Sequence, residues 1–185
     1  MKCRLLALNS WEVKDLDIEI MHVQDMALEE RDFINVWIDR VFGDIDDAYE
    51  WARGEWAVLI RRSGGIVSYV EIAQRQIKVG GRPVHVGGIA NVMTLDDWKR
   101  HGFASAAMRK SMGFIRSELK ADFGLLVCEE ELIPFYERLD WHVVSGPLVA
   151  DQPEGRVVLP HIAMVFVCKD TEWPAGTIDL CGLPW

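Results

Sequence analysis

Residues 91–104, NVMTLDDWKRHGFA, contain the transition that decides the fold. An apolar, strand-like run changes into charged residues, and a helical pattern begins at Lys99. N–H groups at a helix N-terminus have no intrahelical partner and lie at the positive end of the helix dipole, so they favour a bound phosphate. Gly102 keeps side chains away from such a group, and Lys99 and Arg100 add positive charge. The junction predicts a phosphate site, although the aspartates before it would also fit a simple helix cap.

Length and composition favour one globular domain, residues 1–185, that needs no disulfide or metal to be stable. Apolar runs are too short to span a bilayer and the N-terminus lacks a signal-peptide pattern, so we expect a cytoplasmic protein with no membrane partner. Four scattered cysteines, with no histidines at ligand spacing, indicate no metal site. A net charge of −9 argues against nucleic acid and favours a cationic small molecule.

Apolar periodicity and glycine turns predict an α+β fold. The predicted strands are residues 16–23, 56–61, 66–77, 84–93, 124–127, 141–144 and 161–167. The predicted helices are residues 26–42, ended by Gly43, then 44–53, 99–119 and 134–139. The order strand, helix, strand across residues 84–127 predicts one parallel crossover, after a series of antiparallel hairpins.

Two motifs resemble the GNAT superfamily of acyl-coenzyme-A-dependent N-acyltransferases. The pattern Lys99-x-x-Gly102-x-Ala104 is similar to the pyrophosphate loop of that family, Arg/Gln-x-x-Gly-x-Gly/Ala. The segment 134–141, PFYERLDW, contains a helix tyrosine, Tyr136, at the position where the family has one after its fifth strand. Residues 54–104 look like the aminoglycoside 2'-N-acetyltransferases, and the tail 172–185, EWPAGTIDLCGLPW, is similar to theirs and to that of nodulation N-acyltransferases.

The resemblance implies a mixed, mostly antiparallel sheet flanked by helices, with two strands that splay apart at its centre. It implies acetyl-CoA as co-substrate and Tyr136 as the general acid for the leaving thiolate. The implied contacts to acetyl-CoA are Val92, Met93 and Thr94 for the thioester and pantetheine, and Lys99, Arg100, His101, Gly102, Phe103 and Ala104 for the pyrophosphate.

The general base is where the sequence departs from the family, because Ala90 stands where the relatives have a glutamate. Substitute bases are Glu71, the glutamates at 129–131 and the terminal carboxylate of Trp185. Glu71 is a candidate base or substrate anchor, and a solvated strand residue is the alternative explanation. A charged loop is an alternative explanation for the three glutamates.

Acidic side chains supply candidates for binding a cationic acceptor, since unpaired carboxylates raise the local concentration of cations. These candidates are Asp44, Asp46, Asp47, Glu129 and Glu130. A solvated acidic loop would explain residues 44–47 as well.

Together these features predict an N-acetyltransferase that moves the acetyl group of acetyl-CoA to a primary amine of a small cationic acceptor, such as an aminoglycoside or another amino sugar. Two alternatives stay open: transfer of a longer acyl chain, as the nodulation-like tail allows, and a non-catalytic acyl-CoA-binding module, as Ala90 allows. Eight tryptophans and an apolar C-terminal segment also leave a homodimer open.

Overall fold

One sheet of ten strands, with helices on both faces, forms the body of the protein. The computed structural model describes residues 17–46 and 49–185, with the side chains of 44–46 outside the description. The strands are β1 Asp17–His22, β2 Trp56–Arg62, β3 Gly65–Val79, β4 Arg82–Thr94, β5 Phe123–Cys128, β6 His142–Val143, β7 Leu148–Gln152, β8 Gly155–Leu159, β9 Ile162–Val167 and β10 Ile178–Asp179. The helices are α1 Leu28–Asp46, α2 Phe103–Ser117 and α3 Ile133–Glu137.

The strand order confirms the predicted α+β class with a mixed, mostly antiparallel sheet. The order is β6-β9-β5-β4-β3-β10-β7-β8, and β2 joins β1 to β3. Only the pairs β4–β5 and β10–β7 are parallel among the described strands. Helix α2 connects β4 to β5, so the predicted parallel crossover is confirmed.

Alternation along the central strands divides the core between the two faces of the sheet. On one face, Val58 and Ile60 of β2 pack with Met108 and Ile115 of α2. On the other face, Leu59 packs in a second cluster with the buried residues of α1, which include Ile34, Trp37 and Ile38. Each helix thus lies against its own face of the same strands.

Helix α1 extends beyond its predicted end. The prediction that Gly43 stops it is wrong, because α1 continues to Asp46. A glycine inside a helix costs only about 1 kcal/mol relative to alanine, and the packing of Trp37 and Ile38 against the sheet outweighs that preference. The short helix with its loop predicted within 44–53 is not a separate element in the described residues, because 44–46 continue α1 and 49–53 are irregular.

Helix α2 begins at Phe103 rather than at the predicted Lys99. Arg100 and Gly102 have positive φ angles of 64° and 82°, which a right-handed helix does not allow. Residues 99–102 therefore form a loop in front of the helix.

Three short strands, β7, β8 and β10, were not predicted from the sequence. Within the described residues, no helix is both long and apolar enough to cross a membrane.

Candidate active site

Strands β4 and β5 separate in the middle of the sheet. Their parallel pairing runs from Val86–Phe123 to Ile89–Leu126 and then stops, although β4 continues to Thr94 and β5 to Cys128. Beyond Ile89, β4 keeps only β3 as a strand neighbour among the described residues. The predicted splayed centre is present, and backbone groups facing the gap are left for a ligand to pair with.

A β-bulge in β4 begins directly after the last β4–β5 pair. Tyr69 of β3 faces Met93 while Glu71 faces Ala90, so two residues of β4, Asn91 and Val92, stand opposite one of β3. Asn91 has φ of 51°, in the left-handed region. A bulge bends its strand and increases the local twist, which turns β4 away from β5.

Glu71 is completely buried beneath this bulge, so it is not a solvated strand residue. Its Oε2 accepts a 2.6 Å hydrogen bond from Nδ2 of Asn91, and its Oε1 accepts a 2.7 Å hydrogen bond from the Gly54 N–H. Arg53 Nε lies 3.3 Å from Oε1 as an ion-pair partner. A side chain at Gly54 would clash with the Ile72 carbonyl at 2.6 Å, so only glycine brings this N–H so close. Both carboxylate oxygens of Glu71 are therefore engaged by the protein.

The loop at 99–102 and the first turn of α2 present free N–H groups. Gly102 caps the helix in the left-handed conformation, and no side chain bonds to the cap. The N–H groups of residues 100–105 have no acceptor in the described part of the chain. The rings of Trp98, His101 and Phe103 pack against one another, with centroids 5.6 to 6.3 Å apart, and hold the loop. This is the geometry of an anion-binding helix N-terminus.

The two basic side chains of this loop, Lys99 and Arg100, differ in whether an acidic side chain pairs with them. Lys99 Nζ lies 2.7 Å from Asp96, whose pKa is lowered by that contact. Arg100 is exposed and has no ion pair among the described residues. The free positive charge next to the N–H groups therefore comes mainly from Arg100.

A cavity of about 360 Å³ opens where β4 and β5 part. Its wall is formed by β4, the end of β5, helix α1, the loop at 51–53, helix α3 and the C-terminal tryptophan. The lining side chains that bear polar or titratable groups are Asp39, Trp51, Arg53, Asn91, Cys128, Glu129, Tyr136, His161 and Trp185.

Tyr136 lines this cavity from α3. Its ring is buried, and burial raises the pKa of Tyr136 above the usual phenol value, with Cys128 as a lesser cause. Cys128 also lines the cavity, and burial, together with Glu129, raises the pKa of its thiol to about 11. Both groups are thus protonated at neutral pH.

The C-terminal segment closes one side of the cavity. The indole of Trp185 lies so close to Gly88 that a Cβ there would be 2.1 Å from the ring. The Arg75 guanidinium stacks 4.9 Å above the indole, and its Nη1 donates a 2.6 Å hydrogen bond to the Leu183 carbonyl. The Ala52 N–H donates to the Pro184 carbonyl at 2.6 Å, which ties the tail to the loop at 51–53.

Known acetyltransferases share this sequence pattern and this fold. The family model for the acetyltransferase (GNAT) domain matches residues 23–144, about two thirds of the chain. The chain belongs to the GNAT acetyltransferase family. Membership confirms the predicted class of enzyme, an acetyl-CoA-dependent N-acetyltransferase.

Individual relatives agree with this assignment. An aminoglycoside 2'-N-acetyltransferase of Mycolicibacterium fortuitum is 25% identical over 159 residues, 85% of this chain and 80% of that protein. The GNAT protein YhbS of Escherichia coli, solved in complex with CoA, matches the fold with a TM-score of 0.62 at 12% identity, over 89% of each chain. A Brucella melitensis GNAT acetyltransferase solved with acetyl-CoA has a TM-score of 0.57 at 11% identity, over 88% of this chain and 94% of that one.

The GNAT site brings only some of the sequence-predicted residues together. Val92, Glu129, Tyr136 and the Trp185 side chain line the cavity. Glu130 is exposed and does not line it. Of the other predicted acceptor-binding residues, Asp44 and Asp46 lie on the last turn of α1 with undescribed side chains, and Asp47 lies outside the described residues.

Several side chains of the GNAT cavity were missed by the sequence analysis: Asp39, Trp51, Arg53, Cys128 and His161. No local motif distinguishes them, because they reach the cavity from four separate parts of the chain: α1, the loop at 51–53, the end of β5 and the residue before β9. Within the described residues, no group of three or more histidine, cysteine, aspartate or glutamate side chains could hold a metal ion.

Proposed function

We propose that this GNAT enzyme transfers the acetyl group of acetyl-CoA directly to a primary amine of a small cationic acceptor, an aminoglycoside or another amino sugar. The main support is one observation. Tyr136 shares a single cavity with the carboxylates of Asp39 and Glu129, at the point where β4 and β5 separate. A proton donor and two carboxylates that attract cations therefore face one reaction space.

Acetyl-CoA fits the splay and the α2 N-terminus. The unpaired edge of β4 from Val92 to Thr94 offers backbone partners for the pantetheine amides, as extended peptides find at a free strand edge. The N–H groups of residues 100–105, with Arg100, suit the pyrophosphate. Lys99, His101, Phe103 and Ala104 complete that loop.

The chemistry needs an unprotonated amine, a polarised carbonyl and a proton for the leaving sulfur. The amine nitrogen attacks the thioester carbon, and the N–H of Val92 or Met93 stabilises the oxygen that becomes negative. The C–S bond then breaks, and Tyr136 gives its proton to the sulfur. Holding both reactants in one cavity supplies much of the rate enhancement.

Glu71 acts in this scheme by positioning other groups rather than by proton transfer. Its side chain is fully buried and both oxygens are engaged by Asn91, Gly54 and Arg53. It therefore orients the bulge and the loop at 51–53. The Trp185 indole, fixed by Arg75, shapes the acceptor side.

A cationic acceptor is supported by charge and by one relative. The net charge of −9 attracts polyamines over a distance, and Asp39 and Glu129 offer local partners. The 25% identical relative is an aminoglycoside 2'-N-acetyltransferase. We extend the same role to the aspartates at 44, 46 and 47.

The test measures thiol release from acetyl-CoA with a panel of amines that includes aminoglycosides, simple amino sugars and neutral amino alcohols, with products checked by mass spectrometry. We expect turnover with the cationic amino sugars and acetylation at a single nitrogen. Thiol release that rises with acyl length in a series of acyl-CoAs would favour the longer-chain alternative. Tight CoA binding with no turnover of any amine would favour the non-catalytic one.

A further inference from the structure

His161 and Glu129 meet at the end of the β5–β9 ladder. The antiparallel register pairs Cys128 with Ile162, so the next position on each side brings residues 129 and 161 together. His161 Nε2 lies 3.7 Å from Glu129 Oε1, and both side chains line the cavity. The site thus contains an imidazole beside a carboxylate.

The His161 ring is held among aromatic side chains. Only 11% of the side chain is exposed. Trp51 and Tyr49 contact the ring nearly edge-on, with centroids 5.8 and 6.4 Å away. These contacts fix an imidazole in the cavity wall instead of leaving it in solvent.

Neither ring nitrogen of His161 receives a hydrogen bond from the described residues. Nδ1 is buried without a partner, and the neighbour of Nε2 is a carboxylate, which cannot donate. A neutral imidazole has one N–H and one lone pair. Whichever nitrogen has the N–H, the other therefore keeps a lone pair that no protein donor occupies.

Three side-chain carboxylates in or next to the cavity wall are weaker choices for a base. Glu71 has both oxygens engaged, and Asp39 and Glu129 are exposed to solvent. Histidine is the side chain that most often acts as a general base, and here its ring is held in the cavity wall by aromatic contacts.

We propose that His161 is the general base that removes the proton from the acceptor amine, with Glu129 as its ion-pair partner. The inference rests on the proposed function. As the N–C bond forms, one proton passes from the amine nitrogen to the imidazole, directly or through one water. The C–S bond breaks with its electron pair on sulfur, which takes the proton of Tyr136. Solvent then reprotonates Tyr136, and His161 releases its proton to solvent. The enzyme therefore gains and loses no net proton in the cycle.

Glu129 contributes only once the ring is charged. At 3.7 Å the contact is longer than a hydrogen bond, but it becomes an ion pair when the imidazole takes up a proton. The Glu129 carboxylate thereby stabilises the state that forms during the reaction. Glu129 is a positioning residue in this scheme, and His161 is the catalytic one.

The pH dependence follows from the groups that face the ring. Glu129 and Tyr49 contact it, and across the cavity lie Asp39, Arg53, Cys128 and Tyr136. Burial raises the pKa values of Cys128 and Tyr136, and guanidinium groups stay protonated. Cys128, Tyr136 and Arg53 therefore stay protonated near neutral pH. Because a base must be unprotonated to act, kcat should rise with pH if His161 has that role.

The first experiment compares His161→Gln with His142→Gln, a control at an exposed position on β6. We expect His161→Gln to lower kcat about 100-fold. Acetyl-CoA affinity and the acceptor Kd should change less than about threefold. His142→Gln should match the unsubstituted enzyme. Added imidazole should restore part of the activity of His161→Ala.

A second experiment needs no variant. The rise of kcat with pH is measured at saturation for two acceptors whose amine pKa values differ by about two units. A base on the enzyme predicts the same midpoint for both acceptors. A midpoint that follows the amine would overturn the inference.

Other outcomes separate this inference from the proposed function. Full activity of His161→Gln, or a loss confined to the acceptor KM, would refute the base role and leave the transferase intact. An unsubstituted enzyme that turns over no amine would refute both.

Discussion

Nδ2 of Asn91 donates a 2.6 Å hydrogen bond to Oε2 of Glu71. The bond joins β3 to the bulge in β4, directly after the step at which β4 leaves β5. The other oxygen of Glu71 accepts the Gly54 N–H and contacts Arg53, so the same carboxylate also holds the loop at 51–53. One buried group thereby positions two walls of the cavity, β4 and the loop at 51–53.

Removing Glu71 should destabilise the fold. Glu71→Ala leaves the buried Gly54 N–H and the Asn91 amide without an acceptor, and we expect a loss of about 2–4 kcal/mol in the free energy of unfolding. Glu71→Gln should lose less, because it keeps one acceptor oxygen. Urea denaturation measures both. Glu118→Gln, an exposed control, should change stability by less than about 0.5 kcal/mol.

Kinetic measurements should show whether Glu71 is a positioning residue or the general base. If it only positions, Glu71→Gln keeps the pH midpoint of kcat and changes kcat and KM together. Loss of the rise of kcat with pH would identify Glu71 itself as the base.

Substitutions of Asn91 separate backbone strain from hydrogen bonding. Asn91→Gly loses the bond to Glu71 but adopts φ of 51° without cost, whereas Asn91→Ala loses the bond and is strained. Both variants should be less stable than the parent protein. The free energy of unfolding of the alanine variant should be lower than that of the glycine variant by about 1 kcal/mol. Equal unfolding midpoints for the two variants would contradict a left-handed residue in the bulge.

Tyr136→Phe should remove the general acid and little else. The phenyl ring keeps the packing, so we expect kcat to fall at least about 100-fold while acetyl-CoA affinity is unchanged. The control is Ser117→Ala, which deletes an exposed hydroxyl at the last residue of α2, outside the cavity lining, and should leave turnover intact. Steady-state kinetics and a CoA titration measure both effects. Equal activity of the two variants would exclude Tyr136 as the acid.

The alkaline side of the pH profile tests the same residue. A general acid must be protonated, so its contribution is lost as pH rises through its pKa. Burial, then the neighbouring Cys128, raises the pKa of Tyr136 above the usual 10.0. We therefore expect no Tyr136-dependent fall in kcat between pH 8 and about 10. A fall in that range that disappears in Tyr136→Phe would contradict this prediction.

Glycine-to-alanine substitutions at two positions of α2, the N-cap Gly102 and the internal Gly113, provide a test and its control. Gly102 has φ of 82°, so Gly102→Ala should strain the loop by about 1 kcal/mol and weaken CoA binding several-fold. Gly113 lies inside α2, and a Cβ added there would meet nothing within 4 Å, so Gly113→Ala should raise stability by about 0.5–1 kcal/mol and leave CoA affinity unchanged. Calorimetric titration with CoA and thermal unfolding measure the pair. Unchanged CoA affinity in Gly102→Ala would argue against the loop as the pyrophosphate site.

Local patterns in the sequence were sufficient to predict the central strands of the sheet. Alternating apolar residues and glycine turns predicted β2, β3 and β4, and the apolar run after α2 predicted β5 as a buried strand. Those patterns reflect contacts within one element or one hairpin. Where distant packing decides the structure they failed, as at Gly43, which remains helical because α1 is held against the sheet.

The sequence by itself determined the family and the parallel crossover through α2, because glycine positions and periodicity act over a few residues. Only the tertiary structure decided that Glu71 is buried beneath Asn91, and that His161, Glu129 and Tyr136 face one cavity. The register of the strands decides which of these residues come into contact. Strand register depends on the packing of the whole sheet, which joins residues far apart in the chain, as the pair Glu129 and His161, 32 positions apart, illustrates.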